Sequence, residues 1–299
     1  MKGVIRKLVV CGVGLIGGSF ARALREAGKV RHVVGVGRSR ASLERARELG
    51  VIDAIADNWE DALDGADFVL LAVPVGQMDS IMRDMAPHLQ PGTVVTDAGS
   101  TKRDVIEAIY RNLNDFVADV VPAHPIAGAE SSGVDASYAS LFVNKKVVVT
   151  PLAENEPAAV LRVREAWEAC RAVVHEVPPQ EHDHIFAAVS HLPHLLAYAL
   201  VHDLAERDNA QQLFGFAASG FRDFTRIASS HPEMWRDICI ANRQPLLAEL
   251  DHYLAELTRL RALLLSADGD KLEEAFSTSR AARNAWIERQ GAVVEESGR

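Results

Sequence analysis

The segment KLVVCGVGLIGGS, residues 7–19, constrains the fold of this chain more than any other. A short apolar run ends there, and Gly12, Gly14 and Gly17 follow in the spacing GxGxxG. In a dinucleotide-binding loop, the first glycine permits a tight turn and the second lets the backbone approach a pyrophosphate. The third lets the next helix pack closely on the strand. We expect that helix to begin near Leu15, with its N-terminus facing the phosphates, and a second strand at residues 32–38.

Strands and helices alternate through the first 177 residues. Apolar runs typical of buried parallel strands recur at residues 51–57, 67–74 and 92–100, and two more at 145–151 and 171–179. Residues 116–133 read as a further strand with a long polar exit. Amphipathic segments at residues 39–50, 76–89, 102–112 and 157–170 separate them. This alternation predicts an α/β, Rossmann-like, doubly wound sheet.

The pattern changes after Pro178 and Pro179, because only helical periodicity follows. We therefore predict two domains: a dinucleotide-binding domain at residues 1–177 and an all-α domain at residues 178–292. Helices are expected at residues 181–207, 211–218, 222–228 and 232–266. The last one carries a leucine stripe that either packs inside the chain or forms a homodimer interface, and we favour the interface. The stripe consists of Leu247, Leu250, Leu254, Leu257 and Leu264.

The composition of the chain limits the kinds of partner that the protein is expected to bind. A net charge of −9 and a pI near 5.7 argue against a nucleic-acid or anionic-membrane partner. Cys11, Cys170 and Cys239 are scattered, which suggests neither a disulfide framework nor a zinc ribbon. The first strand begins within a few residues of the start and no uninterrupted apolar run is long enough to span a membrane, so we expect a cytoplasmic protein.

Two loops at predicted strand ends carry reactive groups, and ligands of a doubly wound sheet bind at such ends. DAGSTK contains Asp97 and Ser100, although Thr101 and Asp104 fit a helix-capping box that alone explains the loop. AHPIAGAESSG places His124 directly before a proline at a strand end. We interpret this histidine as a general base or polarising group.

Two motifs of the helical half carry further candidates. In SHLPH, His191 and His194 lie three residues apart and so share a helix face. They are a substrate site, a pair satisfied within the helices, or zinc ligands; the lack of a cysteine or carboxylate at ligand spacing disfavours the metal. GFRDFTRIA supplies Asp223 and Arg226, which form either a local ion pair or a carboxylate clamp.

Taken in order, GVGLIGGS, DAGSTK, HPIAGAESSG, SHLPH and GFRDFTRIA resemble the prephenate and arogenate dehydrogenase family of tyrosine biosynthesis, across nearly the whole chain. The resemblance implies a Rossmann-like domain followed by an all-α dimerisation domain. It also implies an oxidative decarboxylation, in which hydride leaves the ring carbon that bears the hydroxyl and carbon dioxide leaves the opposite carbon.

The resemblance also implies roles for individual residues. His124 is the catalytic histidine, and Ser100 hydrogen-bonds to it and to the nicotinamide side. His194 and Arg226 bind substrate carboxylates, with no metal involved. The remaining substrate-binding candidates are Glu130, Asp223, Trp235 and His191, and the cofactor-binding candidates are Gly12, Val13, Gly14, Leu15, Ile16, Gly17, Arg38, Ser39, Arg40, Val73, Asp97 and Ser100.

Cofactor and substrate choice follow from single positions. The second strand ends in GVGRSR without the acidic residue that binds ribose hydroxyls in NAD enzymes, so Arg38, Ser39 and Arg40 favour NADP over NAD; the alternative is that these arginines are only solvated. SHLPH is similar to members that accept prephenate, which favours prephenate or dual use. An arogenate-specific enzyme, a β-hydroxyacid-type oxidoreductase and a nucleotide-sensing dimer without catalysis are the alternatives.

Overall fold

A parallel six-stranded sheet forms the first part of the chain in a computed structural model that describes residues 4–128 and 131–297. Its strand order is 3-2-1-4-5-6, the order of dinucleotide-binding domains. Apolar residues bury both faces, as in FVLL of the fourth strand, where every residue is buried. The strands are β1 (Ile5–Cys11), β2 (Val30–Val36), β3 (Ala54–Ile55), β4 (Phe68–Leu71), β5 (Val94–Asp97) and β6 (Val120–Val121).

Helices connect these strands and cover the sheet. The glycine-rich turn leads into the first helix at Leu15, as predicted. Two apolar clusters of buried residues pack about the sheet, one containing Phe20 and Trp167 at a ring distance of 4.6 Å and the other containing Met78 and Met82. The helices are α1 (Leu15–Glu26), α2 (Arg40–Glu48), α3 (Trp59–Leu63), α4 (Val75–Met85) and α5 (Arg103–Asn112).

The strand register aligns the carboxyl ends of four neighbouring strands. Cys11 pairs with Val36 on one side and with Leu71 on the other, and Leu71 pairs with Asp97. The segments that follow these four residues therefore leave the sheet at one edge. They include the glycine loop and the candidate site residues near Arg38, Val73 and Ser100, which places these predicted positions together.

The segment at residues 116–133, predicted as one strand with a long polar exit, contains two short strands in different sheets. Pro122 separates them, because it has no N–H to donate to a continuing ladder. A second, three-stranded sheet of order 7-8-9 follows, with the first pair antiparallel and the second parallel. It consists of β7 (Ala123–Pro125), β8 (Lys146–Val149) and β9 (Val173–Glu176), with α6 (Pro157–Ala169) between the last two.

Every regular element described after residue 177 is helical, as the periodicity predicted. Two predicted helices differ in detail: a π-helical turn, Ala187–His191, interrupts the first, and Asn242 divides the helix expected at residues 232–266. The helices are α7 (Pro179–Phe186), α8 (Leu192–Ala205), α9 (Ala210–Gly215), α10 (Ser219–Thr225), α11 (Pro232–Ala241), α12 (Arg243–Leu265) and α13 (Gly269–Ser297).

The chain divides into two compact units, residues 1–243 and residues 244–299. Within the second unit, the predicted leucine stripe lies along α12. Leu247, Leu254, Leu257 and Leu264 each expose more than four-tenths of their surface in the single chain. An exposed apolar stripe of this length is typical of an interface.

One continuous helical stretch, Pro179–Ala205, is long and apolar enough by length and composition to cross a membrane, with a mean hydropathy of 1.4. Such a stretch is weak evidence for a span. It contains His182, Asp183 and His191, all buried in the first unit, and ionisable groups of this kind are rare within membrane spans.

Candidate active site

The glycine loop fits a dinucleotide. Gly12 has φ +91°, and a Cβ there would lie 2.4 Å from the carbonyl oxygen of Ala72 and 2.9 Å from a methyl of Val73. A Cβ on Gly17 would lie 2.3 Å from the carbonyl oxygen of Gly12. At Gly14 a Cβ would meet no atom within 4 Å, so the space before the loop is open. α1 begins there without a side-chain cap, which leaves its first amides for an anionic group.

The other apolar residues of the predicted loop shape it from behind. Val13 is buried and its side chain lies 3.1 Å from the Cβ position of Gly35, while Leu15 and Ile16 are partly buried against the core. These three residues support the loop conformation through packing.

At the end of β2, the three predicted 2′-phosphate ligands have different surroundings. The Ser39 hydroxyl caps α2 by accepting from the N–H of Ser42 at 3.2 Å. The Arg40 guanidinium lies 2.5 Å from Asp57 and 3.1 Å from Glu44. Arg38 is exposed, and no hydrogen bond or ion pair within the described part of the chain engages its side chain. Arg38 therefore has the uncommitted guanidinium of this group.

A buried ion pair fixes the loop after β5. Lys102 Nζ lies 2.5 Å from Asp97 Oδ2 and donates to the carbonyl oxygen of Ala123 at 2.8 Å, and both side chains are almost fully buried. Asp97 also accepts from the N–H groups of Gly99 and Ala123. The Asp97 carboxylate, predicted as a cofactor contact, thus holds the loop to the strand that carries His124.

His124 lies in β7 and belongs to a buried hydrogen-bonded series. Its Nδ1 lies 2.9 Å from Nε2 of His182, and Nδ1 of His182 lies 2.8 Å from Oδ1 of Asp183. The Asp183 carboxylate also accepts from the backbone N–H groups of Lys102 at 2.8 Å and Arg103 at 2.9 Å, at the start of α5. The Phe186 ring packs against both histidines. Side chains of α7, anchored to backbone N–H groups at the start of α5, therefore hold the His124 imidazole in place.

A second series leads from Asn242 toward Arg226. The Asn242 amide donates to the carbonyl oxygen of Asp183 at 2.8 Å and to Nδ1 of His191 at 2.9 Å, which leaves the proton of neutral His191 on Nε2. His194 stacks on Trp235 at a ring distance of 3.6 Å, and Trp235 lies 6.1 Å from the His191 ring. Among the described residues, the buried His191 Nε2 and Trp235 Nε1 have no hydrogen-bond partner. Two neighbouring donors without an acceptor are typical of a ligand site.

Burial keeps these imidazoles neutral. It holds the pKa of His124 well below the usual value, with His182, Lys102 and His191 adding to the effect. Burial lowers the pKa of His191 to about 4. Burial also lowers the pKa of His194, and the Arg226 charge acts in the same direction. A neutral imidazole at physiological pH has a lone pair that can accept a proton.

The same interactions connect the predicted catalytic and binding residues. His191 acts on the pKa of His124, His194 acts on that of His191, and Arg226 acts on that of His194. His124 and Arg226 are thus the two ends of one series of neighbouring groups. The described residues contain no group of three or more His, Cys, Asp or Glu side chains suited to a metal ion.

Comparison with known proteins agrees with this architecture. Residues 20–176 match the family model "Prephenate dehydrogenase, nucleotide-binding domain" and residues 178–278 match "Prephenate dehydrogenase, dimerization domain". The chain belongs to the prephenate dehydrogenase family. It is therefore a nicotinamide-dependent oxidoreductase with a Rossmann-like domain and a helical dimerisation domain, as the motifs predicted.

Relatives within the prephenate dehydrogenase family span nearly the full chain. A cyclohexadienyl dehydrogenase of Zymomonas mobilis is 38% identical over 284 residues, which cover 94% of this chain and 96% of the relative. The crystal structure of prephenate dehydrogenase from Aquifex aeolicus with hydroxyphenyl propionate and NAD+ has a TM-score of 0.89 at 33% identity, covering 95% and 99% of the two chains. Synechocystis arogenate dehydrogenase has a TM-score of 0.78 at 28% identity, covering 94% and 99%.

Some predicted residues of this family member lie elsewhere or have other partners. Asp223 is exposed on α10 and lies 3.8 Å from the Arg222 guanidinium, so within the single chain it does not join the histidines. Ser100 was predicted to hydrogen-bond to His124; His182 is the partner of His124 Nδ1, and the Ser100 contact stays a prediction. Glu130 lies outside the described residues.

Four residues of the site were not predicted as site residues: Lys102, His182, Asp183 and Asn242. The adjacent pair His182 and Asp183 stands in the polar run QEHDH, and nothing in that run distinguishes it from the exposed Glu181 and His184. Lys102 was visible in DAGSTK, yet nothing in that motif indicates complete burial. Asn242 carries no local signal, since its partners lie about fifty residues away.

Proposed function

We propose that this chain catalyses the oxidative decarboxylation of prephenate, with arogenate as a second candidate substrate, in tyrosine biosynthesis, and that His124 is the group that accepts the hydroxyl proton. The observation that carries this proposal is the series of neighbouring groups from the buried His124 and His191 through the half-buried His194 to the exposed Arg226, at the edge of the sheet where the glycine loop lies. The prephenate and cyclohexadienyl dehydrogenase activities of its relatives support it.

The bound nicotinamide supplies the hydride acceptor. His124 takes the hydroxyl proton of the ring carbon from which hydride leaves, so that a carbonyl forms there as the carbon dioxide departs from the opposite carbon. Loss of hydride, proton and carbon dioxide leaves an aromatic ring with a phenolic hydroxyl once the proton returns, and the reaction balances. A neutral, buried imidazole suits this role, because general bases work best when unprotonated at the operating pH.

The remaining residues of the series bind and orient the substrate. His191 Nε2 and Trp235 Nε1 offer two buried N–H donors, and the Arg226 guanidinium at the other end suits a carboxylate. His194, stacked on Trp235, lies between them. Three further residues remain proposed contacts. Ser100 would contact the nicotinamide, and Asp223 and Glu130 would contact the substrate.

The kinetic test uses prephenate and arogenate separately. His124→Asn should lower kcat by roughly 10²–10⁴-fold with binding of the substrate retained. Arg226→Ala should mainly raise KM. Unchanged turnover in His124→Asn would refute the assigned base, and binding of the cofactor without turnover of either compound by the unaltered protein would favour a nucleotide-sensing dimer. Turnover of arogenate alone would restrict the substrate to that compound.

We further propose that NADP is the preferred cofactor. The end of β2 has Gly37 followed by Arg38 and carries no carboxylate, and a Cβ on Gly37 would come no closer than 3.7 Å to the Leu43 side chain. Gly37 is therefore not required by packing, and the position is open for a 2′-phosphate beside the Arg38 guanidinium. Ser39 and Arg40 were predicted to share this role, but both have partners within the protein.

Measurement of kcat/KM with both cofactors tests this preference. Arg38→Ala should lower kcat/KM for NADP by roughly 10–100-fold, the value of a charge-assisted hydrogen bond, and leave NAD nearly unaffected. Arg40→Ala is the matched control, because Asp57 and Glu44 already engage that guanidinium. A strong preference of the unaltered enzyme for NAD would refute the proposal.

The proposed assembly is a homodimer in the cytoplasm, formed through the helical residues 178–292. The exposed leucine stripe of α12 and the match to a dimerisation domain support it. Sedimentation equilibrium of the protein with Leu254→Glu and Leu257→Glu should show dissociation, whereas a monomeric unaltered protein would contradict the proposal.

A further inference from the structure

His124 is connected to two residues that the proposed reaction has not yet used. His124, His182 and Asp183 form a hydrogen-bonded series with exposed fractions of 9%, 0% and 4%. The two links measure 2.9 Å and 2.8 Å. Phe186 packs at 4.8 Å from the His124 ring and 4.5 Å from the His182 ring, measured between centroids, so the geometry of the pair is fixed by packing as well.

The direction of each hydrogen bond follows from Asp183. Its carboxylate accepts two backbone N–H groups at the start of α5. Burial raises the pKa of this carboxyl, but the hydrogen bonds from His182 and from those amides outweigh burial and lower it. An ionised carboxylate only accepts, so Nδ1 of His182 must carry a proton.

The tautomer of His124 follows in turn. Burial lowers the pKa of His182 more than Asp183 raises it, so the neutral ring has one proton, on Nδ1, and a bare Nε2. The bond between the two histidines then requires the proton of His124 to lie on Nδ1. That arrangement leaves the lone pair of His124 on Nε2, the nitrogen not engaged by His182.

We propose that His182, oriented by Asp183, is a positioning residue that fixes His124 in the tautomer with Nδ1 protonated and Nε2 free to accept the substrate proton. The proposal rests on the proposed role of His124 as the base. When His124 becomes an imidazolium, its Nδ1–H bond to His182 strengthens and places the charge near the Asp183 anion. The positive charge of nearby Lys102 disfavours this imidazolium, but the Asp97 carboxylate paired with Lys102 offsets that charge.

Substitution of His182 can distinguish a positioning role from a purely structural one. Asp183 also binds the first amides of α5, so its removal disturbs a helix as well as the histidines. Among the described residues, the His182 side chain makes only the two hydrogen bonds of the series. Its replacement therefore tests positioning with the least change elsewhere.

The experiment compares His182→Leu with His182→Gln in the full-length protein. Leucine provides no acceptor for His124 Nδ1, whereas the glutamine amide can accept from His124 and donate to Asp183. We expect His182→Leu to lower kcat of the prephenate reaction by the order of 10², with unchanged KM, and His182→Gln to restore most of it. His184→Leu, an exposed histidine two residues on, is the matched control and should behave as the unaltered enzyme.

A spectroscopic readout makes the test independent of turnover. In protein labelled with ¹⁵N-histidine, the His124 resonances are identified by their loss in His124→Asn. We expect a protonated Nδ1 and a bare Nε2 in the unaltered protein, and a shift toward protonated Nε2 in His182→Leu. A protonated Nε2 in the unaltered protein would overturn the proposal, even if the leucine variant fails to fold.

The outcomes also distinguish this proposal from the one on which it rests. Loss of turnover in His124→Asn together with normal kcat in His182→Leu would overturn the positioning role and leave the base in place. Normal turnover in His124→Asn would remove the base. The nitrogen spectrum would then still decide whether His182 sets the tautomer.

Discussion

The nucleotide side and the histidine side of the candidate active site are built from different parts of the polypeptide. The nucleotide side consists of backbone within six residues, where Gly12 and Gly17 leave no room for a Cβ. The histidine side consists of side chains drawn from β5, β7, α7 and the residue after α11, connected by hydrogen bonds between buried groups. The nucleotide side therefore requires positions without side chains. The histidine side requires that buried side chains hydrogen-bond to one another.

This difference predicts how each side responds to substitution. A backbone site tolerates changes that leave the space open and fails when a methyl group enters it. A buried network of charges and imidazoles fails when one member is removed, because the partner is left without compensation. The following predictions test this contrast.

The largest expected effect is on the buried ion pair. Lys102→Met leaves the Asp97 carboxylate buried without its cation, and the free energy of unfolding should fall by about 3–5 kcal/mol. Urea unfolding followed by circular dichroism measures the change. Arg40→Met, which removes an exposed ion pair with Asp57, should leave the midpoint unchanged. Equal midpoints for the two variants would contradict the contrast.

The second prediction is that acid lowers the free energy of unfolding through the histidine side. The folded pKa of His191 is lowered to about 4, below the ordinary value near 6.5, and the pKa values of His124 and His182 are lowered too. The unfolded chain therefore binds more protons between these values, so stability is lost as the pH falls from about 6.5 toward 4. For His191 alone the loss at pH 5 is about 2 kcal/mol.

Unfolding midpoints at pH 7, 6 and 5 measure this acid dependence. His191→Gln should reduce its slope, since the amide does not titrate in this range. The Asp183 carboxyl has a lowered pKa and contributes only at still lower pH. A midpoint that stays constant from pH 7 to pH 5 would show that burial of these imidazoles has no energetic consequence.

The third test compares two glycine variants on the nucleotide side, one of which should leave stability unchanged. Gly17→Ala places a Cβ 2.3 Å from the carbonyl oxygen of Gly12 and should cost about 1–3 kcal/mol through a shift of the loop. Gly14→Ala meets no protein atom within 4 Å and should leave stability unchanged. Both variants should weaken binding of the nicotinamide cofactor in a calorimetric titration. Normal cofactor affinity in Gly14→Ala would place the pyrophosphate elsewhere.

Local sequence determines much of the fold and of the nucleotide side. The GxGxxG spacing, the start of α1 at Leu15 and the buried strand FVLL depend on neighbours within a few residues, so they could be predicted. The break at Pro122 was also encoded locally, by the missing N–H, but an apolar run on both sides concealed it. The hydrophobic pattern of the sequence thus predicts helices and strands better than it predicts the breaks within them.

The histidine side could be predicted only in part, because its contacts are distant in sequence. His124, His191 and His194 stood out by residue type and spacing. The partner of His124 Nδ1, His182, lies 58 residues away, beyond the reach of any local pattern. Asn242 ends α11 and binds His191 and the Asp183 backbone, yet the surrounding periodicity continued as one helix. Burial and long-range pairing leave no signature in such a stretch.

The π-helical turn at Ala187–His191 sets the angular relation between two parts of this site. In a regular α-helix each residue advances roughly 100°, so His182 and His191, nine residues apart, would point in opposite directions. A π turn takes up an extra residue and changes that phase. The number of residues between 182 and 191 is therefore a chemical parameter of the enzyme. A one-residue insertion or deletion there would rotate every later imidazole around the helix axis without altering a single functional group.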